Sequence, residues 1–414
     1  MAHFWQGLRS GEWLTCARIR SYSLILLAFY VVAMVGWAAL SDGLSDRNGK
    51  PIGTDFSSFY AAGSLALEGH AADAYAPAAQ HAREQRLFGA ETPYFSWNYP
   101  PVFLLVATPL ALLPYPLALI IFQAASLALL LWVIAAILRP ARLANPQIAR
   151  NWLLVTASFP AIFINLGHGQ NGFLTAGLLG AALVTLELPA ISGLCIGLLC
   201  YKPQFALVIP VALLAAGSWR TIAFASLTAT AVVATSWLLF GSDGWAAFLA
   251  SIEMSRKVLL EQGSVGFEKQ QSAFAAVRLW GGSVSLAYAV QGLVSALAVM
   301  ATAWAWRRSG HRALKASLLV AATALASPHL LDYDLVMLAP ALAYFSLAML
   351  DDLHDYEKTL VTFIWITPLL ARSAAGLIGV PVGFLAIFAL FALILRRLHT
   401  LPNCAAASLR PSQA

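Results

Sequence analysis

Long runs of apolar residues, separated by short polar segments, dominate the chain. Twelve of these runs predict membrane-spanning helices, each needing roughly 20 apolar residues, although some runs are shorter. They cover residues 21–41, 117–138, 151–166, 171–187, 190–201, 203–216, 219–240, 283–306, 314–328, 333–350, 359–371 and 381–395. One further run, 99–113, is short and bounded by prolines, and we expect it to be re-entrant or interfacial.

Basic residues fall in the connections between these runs and predict their orientation, because Lys and Arg concentrate in cytoplasmic loops. Placing every basic cluster in the cytoplasm lets the spans alternate without conflict only if 99–113 does not cross. Both termini, residues 1–20 and 396–414, are then cytoplasmic. The clusters are Arg9/Arg18/Arg20, Arg139/Arg142/Arg150, Arg220, Arg307/Arg308/Arg312/Lys315 and Arg396/Arg397.

Two longer connections, 42–98 and 241–282, fall on the predicted external face. In the first, apolar residues recur at helical spacing after Asp55, and residues 77–88 show a second amphipathic pattern. We expect such helices to lie on the bilayer surface. The recurring residues after Asp55 are Phe56, Phe59, Tyr60, Gly63 and Leu67.

The composition identifies lipid as the solvent of this chain. Hydrophobic residues make up 60% of the 414 residues and charged residues 11%, against roughly 25% charged in soluble proteins. We therefore predict an all-α polytopic membrane protein with one membrane domain over 1–414. The net charge of +6 lies in short loops, so it reports topology and not nucleic-acid binding. Residues 1–20 lack the apolar core of a cleaved signal peptide.

Cysteine usage predicts neither a disulfide nor a thiolate metal site. The sequence contains no CxxC motif and no plausible pair within the loops. The cysteines are Cys16, Cys195, Cys200 and Cys404.

Polar residues between the spans gather on the predicted external face. Ionisable groups at membrane depth are costly and usually functional, so their convergence predicts one cavity near that surface. The clusters are Thr54-Asp55-Phe56, Trp97-Asn98-Tyr99-Pro100-Pro101, Gly167-His168-Gly169-Gln170-Asn171, Tyr201-Lys202-Pro203-Gln204 and the segment from Pro328 to Asp334.

Several of these residues have a structural alternative. Asp55 is either the N-cap of a helix or a catalytic carboxylate, and the two roles are compatible. Lys202 either extends to the lipid headgroups or binds an anion. His168 and Gln170 can satisfy a glycine-rich turn. Arg278, in the second external loop, is either a solvated charge or an anion clamp.

Further alternatives concern the last cluster and the aromatic residues. His329, Asp332 and Asp334 can form a hydrogen-bonded cluster, a helix start or half of a metal site, although no second cluster has ligand spacing. Trp97 and Tyr99 suit an interfacial aromatic belt better than a platform for stacking a sugar.

Five segments in this order and spacing resemble the polyprenol-phosphate-mannose-dependent enzymes of glycosyltransferase family 87. That family belongs to the multi-spanning GT-C class, and the resemblance runs from about residue 50 to 345. The segments are GTDFSSFYAAGSLALEG, WNYPPVFLLVATPLALLP, GHGQNGFLTAGLL, CYKPQFALVIP and ASPHLLDYDLVMLAPAL.

The resemblance implies transfer of a sugar, mannose before others, from a polyprenyl-phosphate-linked donor. Asp55 occupies the place of the essential acidic residue in the first external loop of GT-C enzymes. The expected acceptor is a hydroxyl of a glycolipid or other glycan, and the expected location is a bacterial-type inner or plasma membrane. We expect no organic cofactor and no metal ion.

The chemistry then suggests roles for the remaining candidates. Asp55 would act as general base, and direct displacement would invert the anomeric configuration. Lys202, His329 and Arg278 would stabilise the leaving phosphate. The substrate cavity would be lined by Tyr99, Trp97, His168, Gln170, Gln204, Asp332 and Asp334. The tail of the donor would need a groove, with 99–113 as its wall.

Two other classes of protein compete with this interpretation. A secondary transporter or lipid flippase would place ionisable residues near the midplane of the bilayer and often contains inverted repeats, which we do not find. Another GT-C-type glycan transferase or ligase would share the acidic residue of the first loop.

Overall fold

The computed structural model describes residues 2–205, 207–308 and 310–400, and these residues contain no β-strand. In the first half of the chain the helices are α1 (Ala2–Ser10), α2 (Cys16–Ala39), α3 (Thr54–Leu67), α4 (Pro77–Phe88), α5 (Leu104–Leu110), α6 (Tyr115–Ile137), α7 (Arg139–Ala144), α8 (Pro146–Ala157), α9 (Pro160–His168) and α10 (Gly172–Val184). They continue as α11 (Pro189–Leu198), α12 (Val208–Ala215), α13 (Trp219–Ser255), α14 (Ala273–Leu279), α15 (Val284–Arg308), α16 (Arg312–Ala326), α17 (Leu338–Asp351), α18 (Glu357–Ile378) and α19 (Val382–Thr400).

Within the described residues, seven helical segments are long and apolar enough to cross a bilayer, and each matches one predicted span. The protein is therefore an all-α polytopic membrane protein. The segments are Cys16–Ala39, Tyr115–Ile137, Trp219–Glu261, Val284–Arg308, Asp332–Leu350, Glu357–Ile378 and Val382–Thr400.

The other five predicted spans are shorter helices. Span 151–166 is divided into α8 and α9, because Pro160 begins a new helix. Spans 171–187 and 314–328 form α10, of 13 residues, and α16, of 15 residues. At about 1.5 Å per residue, these two helices are roughly 20–22 Å long, shorter than a hydrocarbon core of about 30 Å. Spans 190–201 and 203–216 become α11 and α12.

Different polar residues lie at the two ends of the helix bundle. At one end, called here the basic end, Arg397 binds Glu357 and Arg312 binds Glu187. At the opposite end, called here the Asp55 end, the turns α9–α10, α11–α12 and α16–α17 meet. Side-chain contacts hold these turns together, and one of these contacts is the ion pair between Lys202 and Asp334.

The helices predicted in the first long connection are present, and α4 covers residues 77–88 as predicted. The expectation that the first of them lies on the bilayer surface was wrong. Phe56 and Phe59 of α3 are buried, and Gly63 lies so close to α5 that an added Cβ would fall 2.2 Å from the Ala107 carbonyl oxygen. Helix α3 therefore packs inside the protein.

The segment 99–113 is short, as predicted. A single turn at Pro101–Phe103 and α5 together give ten residues, Pro101–Leu110, or roughly 15 Å of helix. This length is half of a typical hydrocarbon core. The expectation that Trp97 belongs to an interfacial belt was wrong, because its side chain is 2% exposed and stacks against Phe103 inside the protein.

The second long connection begins with helix rather than loop. Helix α13 continues to Ser255 through a break at Gly241, whose φ of 74° and ψ of 173° are not helical. The remainder includes α14 and is fixed to the Asp55 end, because the backbone N–H of Gln271 donates to the Leu330 carbonyl at 2.7 Å. This connection therefore packs against the turn between α16 and α17.

Candidate active site at the Asp55 end

Asp55 lies in the first turn of α3, with its side chain about one quarter exposed. The N-cap position belongs to Gly53, so the alternative that Asp55 caps the helix was wrong. Its carboxylate instead accepts hydrogen bonds from neighbouring side chains. Gln170 Nε2 donates to Oδ2 at 2.9 Å, and the Thr54 hydroxyl donates to Oδ1 at 3.4 Å. A held but partly exposed carboxylate remains available to a substrate.

Gln170 is oriented by its other hydrogen bonds. Its Oε1 accepts from the Tyr99 hydroxyl at 3.1 Å and from the backbone N–H of Asn171 at 2.8 Å. Because an amide oxygen accepts and an amide nitrogen donates, these two donors leave Nε2 to face Asp55. Tyr99 thus positions Asp55 through Gln170.

His168 lies on the other side of the same carboxylate. Its Nδ1 is 3.0 Å from the Thr54 hydroxyl and 3.9 Å from Asp55 Oδ1. The next residue, Gly169, has a φ of 61°, and an added Cβ would fall 2.7 Å from Phe56 Cβ. Glycine therefore allows the tight turn that brings His168 and Gln170 to the same acid.

Lys202 and Asp334 form a buried ion pair close to Asp55, Gln170 and His168, which are called here the Asp55 group. Lys202 Nζ lies 2.7 Å from Asp334 Oδ1, and the side chains are 4% and 6% exposed. Asp334 Oδ2 also accepts from the backbone N–H of Leu331 at 3.2 Å. Because the ammonium already has a carboxylate partner, a donor phosphate would have to compete for Lys202.

His329 lies in the turn between α16 and α17. Its Nδ1 is buried and has no hydrogen-bond partner among the described residues. Burial lowers the pKa of His329 because it disfavours the charged ring; nearby Asp334 acts against this shift and Lys202 adds to it. Burial therefore favours the neutral imidazole, and its Nδ1 is left without a hydrogen-bond partner among the described residues.

Asp332 is a second buried carboxylate near Asp55. Its Oδ1 accepts from the backbone N–H of Tyr333 at 2.9 Å, and it lies within electrostatic range of His168, Asp55 and Arg372. The Tyr333 ring packs against the His168 ring, with centroids 5.5 Å apart. The turn between α16 and α17 thereby closes one side of the Asp55 group.

Metal ligation has no clear location in this arrangement. Across the described ranges, no three or more His, Cys, Asp or Glu side chains are grouped so that they could hold an ion. Cys16, Cys195 and Cys200 are free thiols, and Cys404 lies outside the described residues.

The sequence model of glycosyltransferase family 87 matches residues 97–328, which is more than half of the chain. The chain belongs to glycosyltransferase family 87. No curated protein and no solved structure matches it. As a member of family 87, the protein is a membrane glycosyltransferase.

The family 87 match covers only part of the site. Tyr99, His168, Gln170 and Lys202 lie inside the matched residues, whereas Asp55 precedes them. The residues that follow the match at this site are His329, Asp332 and Asp334. Folding joins these three parts, because Gln170 binds Asp55 and Lys202 binds Asp334.

The structure gives Arg278 a local role in the second long connection. Its guanidinium donates to the Gly282 carbonyl at 2.7 Å and to the Glu261 carbonyl at 3.3 Å, and it lies over the Phe267 ring. These contacts fold the second long connection. Its assignment to the donor phosphate stays a prediction.

Trp97 and Gln204 contribute less directly to the site. Trp97 packs against Phe59, Tyr99 and Phe103, so it supports Tyr99 from behind. Gln204 is half-buried and makes no side-chain hydrogen bond within the part of the chain that is described.

Sequence reasoning missed Arg372. The predicted span 359–371 ends one residue before it, although α18 continues to Ile378. The sequence did contain a signal for Arg372, because an arginine in an apolar helix is a charge that needs a partner. Tyr333 was also missed as an individual residue, since its contact with His168 depends on folding.

Proposed function

We propose that this glycosyltransferase moves a hexose, with mannose as the first candidate, from a polyprenyl-phosphate-linked donor to a hydroxyl acceptor. The observation that carries the proposal is the Asp55 carboxylate, partly exposed and held between Gln170 and His168. Family membership supplies the class of reaction, and the arrangement around Asp55 supplies a candidate base.

Asp55 has the features that a general base requires. It is aligned by the 2.9 Å hydrogen bond from Gln170, and its second oxygen faces Thr54 and His168. In the proposed step, Asp55 accepts the proton of the acceptor hydroxyl while that oxygen attacks the anomeric carbon. The bond from that carbon to the phosphate oxygen breaks, and the electron pair leaves with the polyprenyl phosphate. General base catalysis of this kind contributes typically 10²–10⁴-fold.

A single displacement of this type inverts the anomeric configuration. The described part of the site supports this assignment, because the other nearby carboxylates, Asp332 and Asp334, are buried and engaged with the backbone or with Lys202. A double displacement would require a second exposed carboxylate as nucleophile.

The charge distribution supports an external active site. The basic residues Arg312, Arg396 and Arg397 are at one end of the bundle, and Asp55 is at the other. Because Lys and Arg concentrate on the cytoplasmic side, the Asp55 end faces outward in this proposal. A bacterial-type inner or plasma membrane is the proposed location, with both termini cytoplasmic.

The test is sugar release from a defined donor by the purified protein. Wild type, Asp55→Asn and the control Asp73→Asn would be incubated with polyprenyl-phosphate-[¹⁴C]mannose in membrane lipid extract. Asp73 is a half-exposed carboxylate whose nearest ionic partner is His70 at 3.5 Å. We expect Asp55→Asn to lower the rate at least 100-fold, in line with loss of a general base, and Asp73→Asn to leave it unchanged.

Each result has a defined meaning. Transfer that survives in Asp55→Asn would remove Asp55 as the base and leave the class of reaction standing. Failure of the wild type with the mannose donor and with other polyprenyl-phosphate hexoses would contradict the proposed donor class. Scoring release of polyprenyl phosphate alongside labelled product keeps the assay informative when the acceptor is scarce.

A further inference from the structure

Arg372 is an exposed cation within the membrane-spanning helix α18. The helix ends at Ile378, six residues later, and is apolar enough to cross the bilayer. Among the described residues, Arg372 makes neither a hydrogen bond nor an ion pair, and the Asp332 carboxylate lies within its electrostatic range. A charge at this depth is costly unless it meets water or an anion. Arg372 therefore has unused binding capacity.

The neighbours of α18 place Arg372 beside the candidate active site. Helix α18 contacts α9, which ends at His168, and the turn Asp332–Met337. One turn beyond Arg372, Gly376 faces the second long connection, because an added Cβ would lie 3.7 Å from Glu268 Cγ. Arg372 therefore lies on a helix that packs against both the turn carrying Asp332 and the helix that ends at His168.

A large cavity lies along the same helix, towards the basic end. It has a volume of about 840 Å³ and is lined mainly by apolar residues of α2, α6, α8, α17 and α18. Cavities of roughly 300–1,000 Å³ commonly hold small ligands. The charged residues in its wall are Glu12 and Lys358. The α18 residues in its wall are Lys358, Val361, Thr362 and Trp365.

Helical geometry connects the cavity to Arg372. Helix α18 remains helical through Pro368, and residues seven apart share a face of an α-helix, so Arg372 lies on about the same face as Trp365 and roughly 10 Å nearer to the Asp55 end. This face of α18 carries the Arg372 guanidinium nearer to the Asp55 end and lines the apolar cavity nearer to the basic end. Such an arrangement matches a molecule with a phosphate head and a long hydrocarbon tail.

We propose that Arg372 binds the phosphate of the lipid-linked sugar donor, and that the hydrocarbon chain of the donor follows α18 into the cavity. The assignment rests on the proposed function, and it gives the donor a position with its phosphate beside Asp332 and its sugar towards Asp55. With Arg372 at the phosphate, Lys202 can keep its ion pair with Asp334.

A phospholipid headgroup offers the same phosphate chemistry from another source. An arginine near a helix end can extend to headgroups and anchor the helix there. The cavity favours the donor, because an anchoring contact requires no space inside the protein for a chain. The experiment therefore compares the two lipids directly.

Binding of polyprenyl phosphate without sugar tests the proposal independently of transfer. Wild type, Arg372→Gln, Arg372→Lys and the control Arg86→Gln would be titrated by native mass spectrometry with a long-chain polyprenyl phosphate, a ten-carbon prenyl phosphate and phosphatidylglycerol. Arg86 is an exposed arginine of α4 whose guanidinium contacts its own helix. Thermal unfolding would confirm that each variant is folded.

We expect Arg372→Gln to raise the Kd for both prenyl phosphates by about tenfold to a hundredfold, the effect of losing one charge-assisted hydrogen bond. Arg372→Lys should recover part of the affinity, and Arg86→Gln should bind as wild type does. The cavity-filling variant Ser346→Phe should weaken the long-chain ligand while leaving the ten-carbon ligand unchanged. Ser346 lies in the cavity wall.

Three results would overturn the proposal. They are unchanged polyprenyl phosphate binding by Arg372→Gln, an equal loss of phosphatidylglycerol binding, and the absence of polyprenyl phosphate binding by wild type. A wild type that binds polyprenyl phosphate and loses this binding in Arg372→Gln, but releases no sugar from the mannose donor, would leave the phosphate site intact and contradict the proposed function alone.

Discussion

Replacing Lys202 by methionine would remove the cation from a buried ion pair and leave the Asp334 carboxylate with one backbone donor. The Nζ–Oδ1 distance is 2.7 Å and both side chains are less than a tenth exposed, so water cannot replace the lost partner. Breaking a buried pair by removing one member costs about 3–5 kcal/mol. We expect the free energy of unfolding of Lys202→Met to fall by this amount.

The double variant Lys202→Met/Asp334→Asn provides the matched control. It removes both charges, so the uncompensated carboxylate is no longer present. Replacing a whole buried pair by neutral groups is often close to neutral in stability. We therefore expect the double variant to be more stable than Lys202→Met, with a coupling free energy of about 2 kcal/mol or more between the two positions.

Unfolding in mixed micelles with increasing SDS would measure the four proteins of this cycle. The reasoning would be refuted if Lys202→Met unfolded within about 0.5 kcal/mol of wild type, the range of ordinary surface substitutions. It would also be refuted by additive single effects. A Lys202→Met protein with normal stability but weaker donor binding would instead return Lys202 to the donor phosphate.

Three shorter predictions concern α4, α3 and the Asp55 group. Burial raises the pKa of Glu84 from its ordinary 4.5 to about 8. The neutral carboxyl therefore contributes to the stability of the fold; this contribution is complete below pH 4.5 and is lost as the pH rises to about 8. Glu84→Gln should therefore match wild type at pH 4.5 and exceed its unfolding temperature at pH 8.5; equal pH profiles would contradict this. Gly63→Ala should cost about 1–3 kcal/mol, because the added Cβ meets the Ala107 backbone, and a melting temperature equal to that of wild type would disprove the close packing. Gln170→Leu should lower kcat at least tenfold with the fold retained, because Asp55 loses its 2.9 Å donor; an unchanged kcat would show that this bond does not position the acid.

Sequence patterns predicted the long helices well, because a lipid-facing helix must be apolar along its whole length. They also predicted α4, because its amphipathic repeat and the proline at its first position, Pro77, both favour a helix. The same patterns failed for α3, since helical spacing is identical for a helix on a surface and one inside a protein. Its burial depends on α5, which approaches it at Gly63.

Polar residues at the turns could be identified as a group but not paired. Lys202 and Asp334 are 132 residues apart, and no local pattern indicates that they bind each other. Arg278 and Arg372 also show that a sequence does not reveal which charged side chains have partners in the folded protein. The sequence left Arg278 as either a solvated charge or an anion clamp, whereas in the structure its guanidinium donates to backbone carbonyls. Arg372 follows directly after a predicted span, and only the fold brings it beside the site.

The short helices α10 and α16 have a consequence for the surrounding bilayer. Nearly every residue of both is buried in protein, while α2 and α13 are mostly exposed. Hydrophobic mismatch acts only on helices that touch lipid, so the annular lipids meet helices of normal length and need not thin around the short ones. The depth of the turn at residues 169–171 is therefore set by protein packing, and it should stay constant when the enzyme moves between membranes of different thickness.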